Sequence, residues 1–366
     1  MKSFGLRSGK KRGNRILRRT ALTINAYTRR RLLASAKLGL AVLPFYIALH
    51  FVHGYGLTPG SFILPFFFGF AIGVAELFLL KSWLKKLPFF VHLAGKSLIL
   101  IVVMYLAFAV LNLLDVFIDG VTWQVYFQVL LRHETLIGMV EALGVIAFLL
   151  FFIQLDRLLG PGVLLGYVAG RYHKPRRELR IFMFLDLKGS TALADEMDAG
   201  RYSNFLHSYF TAMSEPILKT GTEIYKYVGD EIILTWKMRS GLEENSCIRL
   251  FFLIEDQIHV QRDHFLKVYG VVPEFKAGVH AGEVITSQMG ELKSEIVYNG
   301  DILNIASRIQ EYCNQLGQKL LVSAELMERL SLGQEYKVLE LGPVSLRGKA
   351  EELKLCAVDC IPLSIK

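Results

Sequence analysis

The feature that most narrows what this chain can fold into is the placement of its apolar residues. Four long apolar runs, 38–52, 61–80, 97–117 and 135–155, all fall before residue 159. Apolar runs of about 20 residues suit helices that cross a bilayer, where every backbone polar group must be satisfied internally. The first run is short for a span and is expected to extend to either side. The turn at 53–60 has no basic residue, and the loop at 118–133 holds one arginine and no lysine. Lys81, Lys85 and Lys86 follow the second run. Basic groups therefore gather on one side, which places both termini in the cytoplasm. Hydrophobic residues make up 52% of the 366, too many for an ordinary soluble protein. After Arg176 the composition is that of a soluble domain, long enough to bury one core.

The net charge of +9 is local as well. Lys2, Arg7, Lys10, Lys11, Arg12 and further arginines crowd the start, and the first acidic residue is Glu76. Beside a membrane span, such a basic arm contacts anionic lipid. Nucleic acid is not an expected partner, because no aromatic interleaving or reader motif accompanies the charge. A cleaved secretory leader is not expected, since the apolar run after Lys37 is too long and no small-residue cleavage site ends it. Glu76 and Glu141 fall inside the second and fourth runs, where ionisable groups are costly. They either serve a polar site, which His50 and His53 could join, or fix helix packing. Cys247, Cys313, Cys356 and Cys360 lack zinc-site spacing and are expected to be free, reduced thiols.

Domains are expected at 1–36 (basic cytoplasmic arm), 37–156 (all-α transmembrane domain of about four helices), 157–178 (juxtamembrane linker, broken by Gly160-Pro161-Gly162) and 179–366 (globular domain). In the last, 179–185 is a near-continuous apolar run, as a buried central strand should be. A long helix is expected over 191–218, then a hairpin over 224–236 turning at Gly229-Asp230. That turn leaves Asp230 at an exposed tip, while Asp186 closes the preceding strand beside Gly189. Further helices are expected over 246–268, 302–314 and 324–330. A second hairpin is expected over 275–288, turning around His280-Ala281-Gly282-Glu283, with a strand at 319–322 and a closing strand pair over 336–360. Antiparallel strands with helices on one face make an α+β sandwich of ferredoxin-like type.

Five segments of this half form a pattern: Phe184-Leu185-Asp186-Leu187-Lys188-Gly189, Lys226-Tyr227-Val228-Gly229-Asp230, Gly278-Val279-His280-Ala281-Gly282, Gly300-Asp301-Ile302-Leu303-Asn304-Ile305-Ala306-Ser307-Arg308, and Leu346-Arg347-Gly348-Lys349. Their order and spacing resemble the catalytic domain of class III nucleotide cyclases, over roughly residues 178–360. The rest resembles only the general plan of membrane-anchored bacterial cyclases.

The resemblance implies conversion of ATP to 3′,5′-cyclic AMP and pyrophosphate between two catalytic domains, with the chain in the inner (plasma) membrane as a multi-pass protein and its catalytic domain in the cytoplasm. Asp186 and Asp230 align with the residues that hold two Mg²⁺ or Mn²⁺ ions, which activate the ribose 3′-hydroxyl and neutralise the leaving pyrophosphate. Asn304 aligns with the ribose-orienting residue and Arg308 with the one that stabilises charge on the α-phosphoryl group. Four apart on a helix, they project from one face. Arg347 aligns with a basic residue that grips the terminal phosphates. Lys226 aligns with the purine reader, and a lysine donor suits N1 of adenine. The second base-reading position falls on Val297, which cannot accept a hydrogen bond. Asn299, Thr286 or a backbone carbonyl substitutes, or adenine selection is loose. Metal and nucleotide groups act from different domains in this family, so a homodimer with two equivalent sites is implied.

Each residue also has a plainer reading. Arg308 could be a solvated helix charge, Arg347 a turn arginine, and His280 a structural residue. Two other functions compete: a guanylyl or mixed-purine cyclase, suggested by Val297, and a catalytically silent membrane receptor with a cyclase-like dimerisation domain.

Overall fold

The computed structural model describes residues 26–52, 60–75, 88–118, 120, 122–160, 163–172, 174–345 and 352–361. The chain forms two compact units, one spanning Thr20–Leu159 and the other holding Gly160–Lys366.

The first unit is helical: α1 (Ala26–Val52), α2 (Gly60–Val74), α3 (Phe89–Ile118), α4 (Trp123–Leu130) and α5 (His133–Leu159). Leu100 and Ile101 of α3 pack with Ile146, Leu149 and Leu150 of α5, joined by Val42 and Ile72. Leu98, Val102, Val103, Leu106 and Val110 of α3 stay exposed, as do Val140 and Phe148 of α5. Two stretches, Phe89–Val110 and His133–Asp156, are long and apolar enough to cross a membrane. The apolar helical stretches Ser35–Ala48 and Pro65–Val74 are shorter. Two of the four expected spans thus reach crossing length among the described residues. The end of the second run, with Glu76, lies outside them, as do His53 and the 1–25 part of the basic arm. Glu141 is half-buried on α5. The expected loop at 118–133 instead contains α4. Its Trp123, Tyr126 and Phe127 rings pack on one another, and the Tyr126 hydroxyl donates to the Ala109 carbonyl at 3.2 Å. The third run begins as a helix at Phe89 rather than at 97, which brings His92 and the buried Lys96 onto α3.

The second unit begins with α6 (Val163–Val168) and continues β1 (Arg176–Leu187), α7 (Ser190–Glu196), α8 (Ala199–Thr220), β2 (Glu223–Val228), β3 (Glu231–Lys237), α9 (Met238–Leu242), α10 (Ser246–Val260), α11 (Arg262–Tyr269), β4 (Phe275–Met289), β5 (Glu295–Asn299), α12 (Asp301–Gln315), β6 (Leu320–Ser323), α13 (Ala324–Met327), β7 (Tyr336–Ser345) and β8 (Glu352–Cys360). The sheet runs β2-β3-β1-β4-β6-β8-β7, with β5 paired to β4. β1 is antiparallel to both neighbours, β3 and β4, and β2 is antiparallel to β3. With α8 and α10 as crossovers, β1 to β4 have the split βαβ arrangement of the ferredoxin-like fold. β6 then adds to β4 in parallel, so the whole sheet is mixed.

Alternation along β1 explains the layers. Ile181, Met183 and Leu185 point to one face, where Phe205, Tyr209 and Met213 of α8 and Phe251 and Ile254 of α10 cover them. Phe182 and Phe184 point to the other face, where Ile302 and Ala306 of α12 cover them. Each such buried apolar side chain contributes about 1.5–3 kcal/mol relative to exposure. Helices therefore cover both faces, not one as expected. The approach of α12 depends on Gly278: a Cβ there would lie 2.3 Å from the Gln310 nitrogen and 2.6 Å from the Ala306 carbonyl oxygen.

Three other expectations are corrected. The helix over 191–218 is two helices, because Asp198 caps a new one by accepting from the Arg201 N–H at 3.0 Å. The helix over 246–268 breaks at Gln261, whose N–H is shared between the Gln257 and Ile258 carbonyls. Most consequentially, 275–289 is one continuous strand, with no turn at His280. It pairs with β1 along its length from Phe275 to Thr286, and its hairpin with β5 turns only after Met289. His280 is buried inside, its Nδ1 2.8 Å from the Ser323 hydroxyl.

Candidate active site

The β2–β3 hairpin turns through Gly229 and Asp230, with Gly229 in the left-handed region at φ +64°. Glycine enters that region without a Cβ penalty. Because β3 runs antiparallel to β1, with Leu185 opposite Ile232, this turn comes down beside Asp186 at the end of β1. Asp186 is held above its ordinary pKa by burial first and by the neighbouring Asp230 second. Asp230 is half-buried, not at an exposed tip as its turn position suggested. Its Oδ2 is buried with no hydrogen-bond partner among the described residues. Glu231, next along the chain, is pushed up to about 7 by burial and by the charges of Asp186 and Asp230.

Positive charge reaches this acidic pair from β4. Lys276 sits directly opposite Asp186 in the strand register, and its Nζ lies 3.4 Å from Asp186 Oδ2. From α12, Gln310 Nε2 donates to the same oxygen at 3.0 Å. Sequence reading missed both residues. Lys276 stands out only once the register places it across from Asp186.

The arrangement fits a hard divalent cation. Two neighbouring carboxyls, Asp186 held above its ordinary pKa by burial and by Asp230, and Asp230 with one oxygen buried and unsatisfied, make a site short of positive charge. Among the described residues, no group of three or more metal-binding side chains gathers. Two carboxylates are the number that Mg²⁺ commonly takes from protein, with substrate phosphates completing the shell.

The purine-reading expectation centred on Lys226 and Val297. Lys226, half-buried on β2, makes its ion pair with Glu295, Nζ to Oε2 at 2.9 Å. Glu295 is two residues before Val297 on β5, so the two side chains share one strand face. Hydrogen bonds from Lys293 and Lys226 hold Glu295 down at about 2. Glu295 is thus the acceptor beside Lys226 that Val297 is not. Thr286 is buried with its hydroxyl unpartnered among the described residues. It pairs with Tyr298, while Ser287 pairs with Val297, so it belongs to the opposite strand face from Val297.

Asn304 and Arg308 lie on α12, exposed and half-buried respectively. Neither has a hydrogen-bond or ion-pair partner among the described residues. The inner face of α12 carries Ile302, Ile305, Ala306, Ile309 and Gln310, all buried. Gln310 touches Asp186, and Arg308 is two residues away, hence roughly 200° round the helix. Within one chain, then, Asn304 and Arg308 point away from the acid pair. Arg347 lies outside the described residues.

A family model for the "Adenylate and Guanylate cyclase catalytic domain" matches residues 172–357. The match covers half of the chain, and the chain belongs to this family, the class III nucleotide cyclases. It is similar to "Adenylate cyclase 2" of Rhizobium meliloti (strain 1021), 34% identical over 226 residues, which make up 62% of this chain and 62% of that one. An "Adenylate cyclase" of Anabaena cylindrica is 24% identical over 184 residues, covering 48% of this chain and 36% of that one. The chain thus spans less than two thirds of the length of these relatives. A solved bacterial light-regulated adenylyl cyclase resembles it at TM-score 0.50 and 20% identity, covering 59% of this chain and 63% of that one. At that identity the likeness concerns the fold.

Proposed function

We propose that this protein is a membrane-anchored adenylyl cyclase. In this reading two copies together convert ATP to 3′,5′-cyclic AMP and pyrophosphate. The 3′-oxygen bonds to the α-phosphorus as the bond to the pyrophosphate oxygen breaks, and the hydroxyl proton is lost.

The observation that carries the reading is the half-buried Asp186–Asp230 pair with its unsatisfied Asp230 oxygen. These residues would hold Mg²⁺ or Mn²⁺, two ions per site. When bound, the ions would lower the pKa of the ribose hydroxyl and offset the charge of the triphosphate. The remaining roles belong to the chain. Arg308 donates to the α-phosphoryl oxygens as charge builds there, and Asn304 fixes the ribose. Arg347 grips the terminal phosphates with its planar fork. Lys226 donates to N1 of adenine, while Glu295 accepts from the exocyclic amine. Because Asn304 and Arg308 face away from the acid pair of their own chain, the complete site needs the acids of one copy and the donors of another.

Anchoring is supported by α3 and α5. Helices this apolar would be mostly buried in a water-soluble core, yet only 24% and 17% of the two candidate spans is buried. A bilayer is the solvent such outward faces match. The basic arm before α1 would then meet anionic lipid on the cytoplasmic side, with the catalytic unit.

One observation favours a second reading, a guanylyl or mixed-purine cyclase. The Lys226–Glu295 pair offers a donor beside an acceptor, and guanine can use both through O6 and its N1–H. Purified full-length protein supplied separately with ATP and GTP in Mn²⁺ separates the readings. Predominant cyclic AMP supports the first, equal turnover the second, and no product from either contradicts both.

A further inference from the structure

The two strands that carry the Lys226–Glu295 pair are not neighbours: β2 pairs with β3, and β5 with β4. Among the described residues no backbone ladder joins them, so side chains set their separation. Lys226 and Glu295 span the gap at 2.9 Å. A second tie comes from Arg180 of β1, which is only 5% exposed. Its Nε donates to Glu178 Oε2 and its Nη1 to Glu223 Oε2, both at 2.7 Å. Glu223 opens β2. The guanidinium carbon lies 4.6 Å from the ring centroid of Tyr298, the residue after Val297 on β5, within cation–π range. One buried cation thus holds β2 through a carboxylate and β5 through a ring. Aromatic contacts complete the tie: centroids lie 4.9 Å apart for Tyr225 and Tyr298, 5.4 Å for Phe182 and Tyr298, and 6.3 Å for Phe182 and Tyr225.

Tyr225 owes its place to a bulge. Ile224 pairs with Leu234 and Lys226 with Ile233, so Tyr225 is the extra residue of β2. Side chains alternate along a regular strand, so Glu223 and Lys226, three apart, would point to opposite faces. Their partners Thr235 and Ile233 are two apart and share a face. The bulge therefore brings Glu223, which binds Arg180, and Lys226 to one side of the sheet. Thr235 and Ile233 lie opposite Phe182 and Phe184 of β1, the face from which Arg180 also projects. Apolar packing would serve for stability alone, whereas a planar guanidinium fork also fixes direction.

We propose that Arg180, with Tyr225 and Tyr298, is a brace that sets the position of Lys226 against Glu295 and so the choice between adenine and guanine. The inference rests on the reading of Lys226 and Glu295 as the groups that meet the purine. Arg180 is a positioning residue, acting through that pair. A hydrogen bond weakens steeply when its donor is misaligned, so a slack pair binds ATP less well and separates it less from GTP.

The test separates nucleotide selection from turnover and from folding. Purified full-length protein is assayed in Mn²⁺ with ATP and with GTP, for kcat and KM. Arg180→Met is expected to raise KM for ATP roughly tenfold while kcat stays within about threefold. The ATP to GTP ratio of kcat/KM should move roughly fivefold toward one. Tyr298→Leu removes the ring but not the charge and should move the ratio in the same direction. Tyr298→Phe keeps the ring and should stay near wild type. Lys226→Ala should move the ratio as well, and adding Arg180→Met to it should bring little further change, because the brace acts through the same pair. If Arg180→Met does not fold, Tyr298→Leu carries the comparison. A folded variant with the wild-type ratio, or with kcat lowered and KM unchanged, overturns the brace even if it melts lower, since a purely structural ion cluster gives that result. If Lys226→Ala itself leaves the ratio unchanged, the purine reading fails instead, and the two failures are distinct.

Discussion

The two faces of α12 differ in a way that organises the second unit. The inner face is apolar and fitted tightly over the sheet, ending in Gln310, which reaches Asp186. The outer face presents Asn304 and Arg308, with no partner among the described residues. A helix that served only to cover the sheet would need nothing specific on its far side. Here one helix carries, on opposite sides, a contact to the acid pair and the groups assigned to ribose and phosphate. Under the proposed function, the two faces would serve one nucleotide only across two copies of the chain.

The comparison is best broken from its inner side first. Asp186→Asn removes a charge on which the acid pair depends. Cyclic AMP formation should fall roughly a thousandfold or more, while circular dichroism stays that of wild type. Retained turnover would sever the inner face from the chemistry. Next comes the fit between helix and sheet. Gly278→Ala places a methyl group 2.3 Å from the Gln310 nitrogen, a clash with backbone that side-chain motion cannot relieve. It should destabilise by about 1–3 kcal/mol and lower activity by shifting α12. An unchanged melting temperature would show that the seat of α12 is looser than described.

The smallest expected effect concerns the purine. Glu295→Gln should change the ratio of ATP to GTP turnover by up to about tenfold, with little change in melting temperature, because the pair is at the surface. The pH behaviour gives a sign. Glu295 is held below its unfolded value of 4.5, at about 2. Its contribution is therefore present above pH 4.5 and is lost only as pH falls from there toward 2. The ATP to GTP ratio of the wild type should be flat between pH 6 and 9. A ratio that moves within that window would assign base reading to another group.

Much of this was legible in the chain itself, for identifiable reasons. The apolar run 179–185 announced a buried central strand, though not the helix α12 on its second face, and Gly229-Asp230 between two β-branched runs announced the hairpin. α12 was placed within a residue at each end, because its apolar spacing is regular. β4 was misread because His280-Ala281-Gly282 looks like a turn, whereas the strand is continuous and pairs on both sides. Lys276 and Glu295 escaped because their partners are set by register across the sheet and by a hairpin that folds back. Lys226 and Glu295 are 69 residues apart in sequence. The helical unit was read less well where the chain forms α4, since an aromatic segment without basic residues looks the same as a loop.

The central claim is that the acids of one copy and the donors of another make one site. Asp186→Asn and Arg308→Ala variants, each inactive alone, should be co-expressed in one membrane and assayed for cyclic AMP. The account predicts that activity returns, to roughly a quarter of the wild-type level for random pairing, since each mixed pair holds one intact site. Continued silence of the mixture, with the two variants shown to associate, would contradict it.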